Sequence, residues 1–166
     1  MNARNRFSMR TVSNAELAGL LEQAAARPRR RTHRLLHQGP GDPIQRLFIG
    51  LLHGTYVRPH RHPLVGETGI VVRGSCELLT FDGSGTVLAR HQLGPDCENL
   101  AFDLKPGEWH SLVVRSADAL FFELKPGPYD PETISEFADW APAEGSVAVP
   151  GFLEILTNVR VGESVV

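Results

Sequence analysis

The sequence predicts an all-β domain, an antiparallel sandwich or barrel, and three observations predict it. From about residue 44 onward, short apolar or alternating runs follow one another, separated by Gly, Pro, Asp and Ser. No helical pattern stands between these runs, although parallel strands would require such crossovers. The turn Asp82–Gly85 contains two glycines, which supply the positive φ of a tight hairpin. We therefore expect six or more antiparallel strands.

The first predicted element is an amphipathic helix near the N-terminus. Ser13 and Glu16 have the spacing of a capping box, in which each side chain accepts a hydrogen bond from the backbone N–H of the other residue. Apolar residues then recur at helical spacing, at Leu17, Leu20, Leu21 and Ala24. The helix should end near Pro28, because proline cannot continue it.

The predicted strands follow in six runs. They are IQRLFIGLLHGTYVRPH, GIVVRGSCELLTFDG, TVLARHQL, LAFDLKPG, WHSLVVRS and ALFFELKPG. After Pro128 the chain is acidic and rich in proline, and PETISEFADWAP predicts a short helix that Pro142 ends. Phe137 and Trp140 would pack this helix back onto the strands.

Length and composition fit one domain. The chain has 166 residues, 42% of them hydrophobic, which is enough for a single core. We divide it into an N-terminal helix with a basic segment (1–39), a β-barrel (40–128) and an acidic C-terminal extension (129–166). No apolar run approaches the roughly 18 residues of a membrane span, and the N-terminus has no leader pattern, so we expect a cytoplasmic protein without membrane contact. Cys76 and Cys97 are too few for a disulfide framework.

Charge is distributed unevenly along the chain. Residues 1–34 hold eight Arg against two Glu, whereas residues 129–166 are acidic, with Arg160 as their single basic residue. The basic head would either form an ordinary solvated surface or dock on the acidic tail, within or between chains. The stretch RPRRRTHR (27–34) lacks interleaved aromatic residues and any nucleic-acid motif, which argues against a nucleic-acid partner.

Two histidines and a glutamate lie between two glycines in GTYVRPHRHPLVGETGIVVRG (54–74). Side chains alternate across a strand, so His60 and His62 must project to one face. The residues that follow suit a chain reversal, which brings Glu67 back beside the two imidazoles. His110 opens another strand after a Pro-Gly turn.

Three imidazole nitrogens and one carboxylate oxygen would form a site for one divalent transition metal ion, Fe, Mn, Zn, Ni or Co, with coordination positions left open. Taken singly, each residue has an ordinary structural explanation. The metal hypothesis rests on the four together, each beside a Gly or Pro turn. His33, His37, His53 and His91 lack this spacing, and we interpret them as structural or supporting residues.

The spacing of Gly54, His60, His62, Glu67 and Gly74 resembles the first cupin motif at every fixed position. The second motif is matched at Gly107 and His110, but its proline is displaced by one position, and Asn99 and Val114 replace its first and last residues. The chain is similar to the WbuC family of cupin-fold metalloproteins from about residue 13 to about 155. The stretches that carry this resemblance are PRRRTHRLLH, YVRPHRH, PGEWHSLVV, FFELKPGPY and FADWAP.

The resemblance implies a cupin double-stranded β-helix, a small jelly-roll barrel, with the metal held inside by the same four residues. It also implies a role in O-antigen or other surface-polysaccharide synthesis, and it names no reaction. An enzyme would act on a small polar or sugar-related metabolite, either as a metal-dependent isomerase or epimerase or as a non-haem iron oxygenase. The alternative is a non-catalytic, metal-dependent binding or regulatory module.

Arg58, Glu123 and Lys125 are further candidates for substrate binding. Counting by twos from His60 places Arg58 and Tyr56 on the inner face, although Pro59 can break that alternation. Glu123 and Lys125 share one face of their strand and would lie either inside the barrel or in solvent. An unpaired barrel edge would also allow a homodimer.

Overall fold

The computed structural model describes residues 9–166 of the chain. Within them the chain forms α1 (Asn14–Ala25), β1 (Arg31–Leu35), β2 (Ile44–Leu52), β3 (His60–Arg61), β4 (Glu67–Phe81), β5 (Val87–Leu93), β6 (Ala101–Leu104), β7 (Trp109–Pro126), β8 (Glu136–Phe137) and α2 (Val149–Asn158). Every pairing between these strands is antiparallel, as predicted. Among the described residues, neither helix has the length and apolar character that crossing a membrane requires.

Helix α1 begins at the predicted capping box. Glu16 N–H donates to Ser13 Oγ over 3.2 Å, and Ser13 N–H donates to the Glu16 carboxylate over 2.8 Å. The helix lays Leu20 and Leu21 on Gly50 of β2, where a Cβ atom would approach both side chains to 3.3 Å. Glycine therefore lets the helix pack closely on the sheet.

A long ribbon of β4 and β7 organises the barrel. Its register runs from Thr68 opposite Leu124 to Phe81 opposite Trp109. The sequence predicts two strands where β7 is one, and the division between them is visible as an irregularity beside Gly74. Gly74 has φ +70°, and a Cβ atom there would lie 2.0 Å from the carbonyl oxygen of Asp118. Only glycine allows the two strands to approach so closely at this bend.

The remaining strands extend the ribbon on both sides. The sheet order is β1-β2-β7-β3-β8, while β5 and β6 pair with β4. The predicted hairpin turn between β4 and β5 is confirmed. The Asp82 carboxylate stabilises it by accepting hydrogen bonds from the N–H groups of Ser84 and Thr86. Strands β1 and β8 lie outside the predicted barrel segment 40–128, yet each pairs with a strand of that segment.

The predicted helix in PETISEFADWAP is wrong. These residues form turns and the short strand β8, because Glu136 and Phe137 pair with β3 and the Ala138 N–H donates to the Pro59 carbonyl. Trp140 does pack onto the barrel, with its ring 5.3 Å from that of Phe81. The C-terminal helix is α2 instead, which buries Phe152 and Leu156 at helical spacing.

Candidate metal centre

The side chains of His60, His62, Glu67 and His110 converge inside the barrel. Strand β3 places His60 directly opposite His110 of β7, and their ring centroids are 4.3 Å apart. His62 follows β3 on the same face, and Glu67 opens β4. One potential ligand atom from each residue lies within 4.8 Å of the others. His62, Glu67 and His110 are each at most 4% exposed.

Main-chain carbonyl groups orient all three imidazole rings through Nδ1. The pairs are His60 with Arg58 O at 2.9 Å, His62 with Ile134 O at 2.6 Å and His110 with Glu108 O at 2.9 Å. A carbonyl can only accept, so each Nδ1 carries the proton and donates it. A neutral ring with its proton on Nδ1 presents an Nε2 lone pair, which is the form that binds a metal ion.

Two acceptor atoms meet within this cluster. His62 Nε2 lies 2.8 Å from Glu67 Oε2, and His110 Nε2 is buried without a hydrogen-bond partner among the described residues. A lone pair facing a carboxylate at hydrogen-bond distance requires a proton or another cation between them. Atoms bound at about 2.1 Å to one ion would lie about 3 to 4 Å apart, so a small inward movement would let the four residues share it. The residues present therefore fit a divalent metal ion.

The protonation states of the imidazoles favour metal binding. Burial, reinforced by the neighbouring His110, lowers the pKa of His60 to about 3. Burial also lowers the pKa of His110. Both rings are therefore neutral near pH 7, with lone pairs available.

A lysine shares this corner of the cavity. Lys125 Nζ lies 3.1 Å from Glu67 Oε2 and 3.4 Å from His62 Nε2. Burial alone would raise the pKa of Glu67, but the charge of Lys125 opposes burial, and the pKa lies below its usual range. Glu67 is therefore a carboxylate. Burial opposes the charge of Lys125, yet Glu67 and Glu123 raise its pKa.

Glu123 and Lys125 face into the barrel rather than into solvent. Their side chains form an ion pair at 2.5 Å, and Glu123 is 6% exposed. Burial, together with the nearby charge of Glu67, raises the pKa of Glu123 to about 7. A carboxyl group with this pKa can gain or lose a proton near neutral pH, which suits proton transfer.

These groups line a cavity of about 600 Å³. Its walls combine apolar side chains, such as Val57, Leu112 and Phe121, with His60, Glu67, His110, Glu123 and Lys125. Ligand-binding cavities commonly have this size and this mixture of apolar walls and few polar groups.

Arg58 does not line this cavity, so the alternation predicted from His60 is wrong. Val57 is the lining residue, because Pro59 interrupts the regular strand between it and His60. The Arg58 guanidinium instead donates to the Ala138 carbonyl over 2.9 Å and lies over the Phe137 ring. Tyr56 is also directed elsewhere, and its hydroxyl donates to the Pro142 carbonyl.

The sequence did not predict that the basic segment 27–34 contributes a wall of the cavity. Arg27, Arg29, Arg31 and His33 line the same cavity as the metal-site candidates. The signal was available for β1, where Arg31, His33 and Leu35 alternate onto one face. The docking of the basic head on the acidic tail is confirmed within the chain at one point, where Arg29 and Arg31 both pair with Glu144.

Sequence comparison adds little about function. Residues 12–93 match a family model described as a domain of unknown function, DUF6016. A search of the curated proteins found no match to this chain.

Comparison with solved structures shows the fold. A protein from Shewanella oneidensis is similar over 79% of this chain and 87% of its own, with 14% identity and a TM-score of 0.56. Oxalate oxidase in complex with glycolate is similar over 68% of this chain and 57% of its own, with 13% identity and a TM-score of 0.52. The capsular polysaccharide assembling protein CapF from Staphylococcus aureus is similar over 64% of this chain and 34% of its own, with 15% identity and a TM-score of 0.52. This chain thus spans little more than half of the oxalate oxidase and a third of CapF.

These likenesses, together with the antiparallel curled sheet, confirm the predicted fold class. The chain is a cupin-type double-stranded β-helix with a helix on each side of it in sequence. At this level of identity the comparisons speak for the fold alone.

Proposed function

We propose that this protein is a metal-dependent cupin of the WbuC type, which acts on a small polar or sugar-related metabolite in surface-polysaccharide synthesis. The observation that carries the proposal is the convergence of His60, His62, Glu67 and His110 on one buried point, where His62 Nε2 and Glu67 Oε2 face each other at 2.8 Å. The motif resemblance to the WbuC family and the fold shared with CapF support the link to polysaccharides. Neither identifies the reaction.

The chemistry of the proposed site would be divided between the ion and the chain. When bound, a divalent ion supplies Lewis-acid polarisation of a ligand oxygen, or redox chemistry if it is iron. Lys125 can donate hydrogen bonds to a ligand hydroxyl or carbonyl oxygen from beside Glu67. Glu123 can hold or release a proton in the same cavity. The apolar walls exclude water from these groups, which strengthens their electrostatic interactions.

Metal analysis of the purified protein tests the proposed ligands. We expect about one divalent ion per chain, and His110→Ala should lose most of it, because the variant removes one of four ligands. His91→Ala is the matched control, since His91 lies exposed on β5 away from the cluster. Full metal occupancy in His110→Ala, measured by elemental analysis, would show that the ligand assignment is wrong.

One observation favours the non-catalytic alternative. Glu123 and Lys125, the two candidates for proton transfer, are bonded to each other at 2.5 Å, as in an ordinary structural ion pair. The two functions differ in what happens to a bound ligand. Turnover of any sugar or sugar derivative by the metal-loaded protein, lost in Glu123→Gln with the metal retained, supports the enzyme. Binding without turnover, both in air and anaerobically, supports the module.

A further inference from the structure

The basic segment between α1 and β1 forms one wall of the cavity that contains the candidate metal centre. Arg27, Arg29 and Arg31 all line it, together with His60, Glu67 and His110. Three arginines thus border one small-molecule cavity, with Arg27 and Arg29 at its exposed rim. Arginine is suited to such a position because its planar fork matches the oxygen geometry of phosphate and carboxylate groups.

The charges of the cavity leave an excess of positive charge. The three arginines and Lys125 carry four positive charges, against two carboxylates that line the cavity, Glu67 and Glu123, and a third, Glu144, which pairs with Arg29 and Arg31. Lys125 already pairs with both Glu67 and Glu123, so neither compensates the arginines. A divalent ion at the proposed metal site would increase the excess. A neutral sugar would leave this charge unmatched, whereas an anionic ligand would compensate it.

Glu144 shows that two of the arginines converge on a single oxyanion. Arg29 Nε lies 2.5 Å from Glu144 Oε2, its NH2 group donates to Oε1 over 2.9 Å, and Arg31 also contacts Oε1. The Arg29 side chain remains 62% exposed and the Glu144 side chain 29%. A carboxylate of the chain therefore occupies a position that a ligand anion can reach from solvent. Within residues 9–166, Arg27 has no ion-pair partner of its own.

We propose that the ligand of this cavity carries a phosphate or diphosphate group, which binds at Arg27, Arg29 and Arg31. The polar remainder of the ligand faces the candidate metal centre. This inference rests on the proposed function, because it assigns the substrate class of the same cavity. The ligand phosphate displaces Glu144 from Arg29 or shares the arginines with it. The chemistry is that of a phosphorylated sugar or a nucleotide sugar, and the free phosphate group is its simplest probe.

The test is calorimetric titration of inorganic phosphate into the metal-loaded protein and its variants. Arg27→Gln and Arg29→Gln should each weaken phosphate binding by about tenfold, because each removes charge-assisted hydrogen bonds to the anion. Arg30→Gln is the matched control: it lies in the same segment, but its guanidinium donates to the His53 carbonyl and does not line the cavity. Glu144→Gln should strengthen binding several-fold, since it removes the competing carboxylate.

Three results would overturn the inference. The first is that phosphate does not bind the wild-type protein at millimolar concentration. The second is that Arg27→Gln and Arg29→Gln bind phosphate as tightly as Arg30→Gln does. The third is that acetate competes as well as phosphate. Thermal melting of each variant confirms that the fold is retained. Metal content, measured on the same samples, separates the two proposals. Phosphate binding by protein that takes up no divalent ion supports this inference and contradicts the metal proposal. Uptake of one divalent ion by protein that does not bind phosphate supports the metal proposal and contradicts this inference.

Discussion

The imidazole rings of the candidate metal centre are held by main-chain carbonyl groups rather than by neighbouring carboxylates. The carbonyl groups of Arg58 and Glu108 belong to residues two positions before His60 and His110, so each ring is oriented by the backbone just before its own strand. His62 instead uses the carbonyl of Ile134, which lies in the C-terminal segment. Such partners fix the tautomer of a ligand and increase its basicity. They also tie the centre to the docking of that segment.

Lys125 places a positive charge beside a carboxylate that we propose as a metal ligand. Lys125→Met should therefore bind a divalent ion several-fold more tightly, because it removes the repulsion between two nearby cations. Titration with a metal-sensitive fluorescent competitor measures the change, and exposed Lys105 supplies the control variant Lys105→Met. Weaker metal binding in Lys125→Met would mean instead that the ammonium group mainly orients Glu67.

At the scale of elements, the C-terminal helix is attached by a partly buried ionic cluster. Glu77 of β4 accepts hydrogen bonds from Arg90 and Arg115, with Arg115 Nε at 2.9 Å. Both arginines also donate to carbonyl oxygens at the end of α2, where Arg115 contacts Thr157 O at 2.7 Å. The last turn of α2 has no basic residue of its own. The two strand arginines therefore supply the positive charge that a helix C-terminus favours.

Removing Glu77 should destabilise the protein through these arginines. Glu77→Gln leaves two partly buried guanidinium groups without their carboxylate, at a cost of about 3 kcal/mol in the free energy of unfolding. Urea denaturation measures it. Glu136→Gln is the control, because its pair with Arg61 is exposed and should contribute less than about 1 kcal/mol. Equal losses in the two variants would contradict an anchoring role for Glu77.

The same cluster predicts a pH dependence. Burial alone would raise the pKa of Glu77, but hydrogen bonds from Arg90 and Arg115 hold it below its usual value of 4.5. A carboxyl group whose pKa is lower in the folded state stabilises the fold at pH values above its unfolded-state pKa. This contribution is lost as the pH falls below 4.5 and through the folded-state pKa. The stability difference between the wild-type protein and Glu77→Gln should therefore shrink in acid.

At the scale of the whole molecule, the candidate centre exists because the β4–β7 ribbon bends back on itself. His110 and Lys125 lie near opposite ends of β7, 15 residues apart, which would span about 50 Å in a straight strand. Yet Lys125 Nζ lies 3.4 Å from His62 Nε2, and His62 and His110 belong to the same cluster of candidate ligands. Closing the barrel thus brings the two ends of one ribbon to the same cavity.

A bound ion would therefore stabilise the closed barrel as a whole. At a free metal concentration 100 times its dissociation constant, the gain in unfolding free energy is about 2.7 kcal/mol. For a domain of this size that corresponds to a rise in Tm of about 5 to 10 °C. We expect a chelator to lower the Tm of the wild-type protein by this amount. His110→Ala should show no chelator effect, and a wild-type Tm unchanged by the chelator would contradict tight metal binding.

Much of this arrangement can be predicted from local sequence. The capping box of α1, the Asp82–Gly85 turn and the antiparallel strand pattern depend on residues close together in the chain, whose conformational preferences act wherever they occur. The placement of His60 and His62 on one face follows from strand alternation alone. Local preferences failed at PETISEFADWAP, where pairing with β3 outweighs helix propensity.

Tertiary structure decided which of these residues share a cavity. The inward direction of Glu123 and Lys125, the exclusion of Arg58 and the position of Arg27, Arg29 and Arg31 depend on how the ribbon curls and on what packs against its open side. The sequence by itself determined helix α1, the central strands and the faces of regular strands, because those follow from backbone geometry over a few residues. The cavity walls come from segments distant in the chain, and only the packing of the closed barrel brings them together.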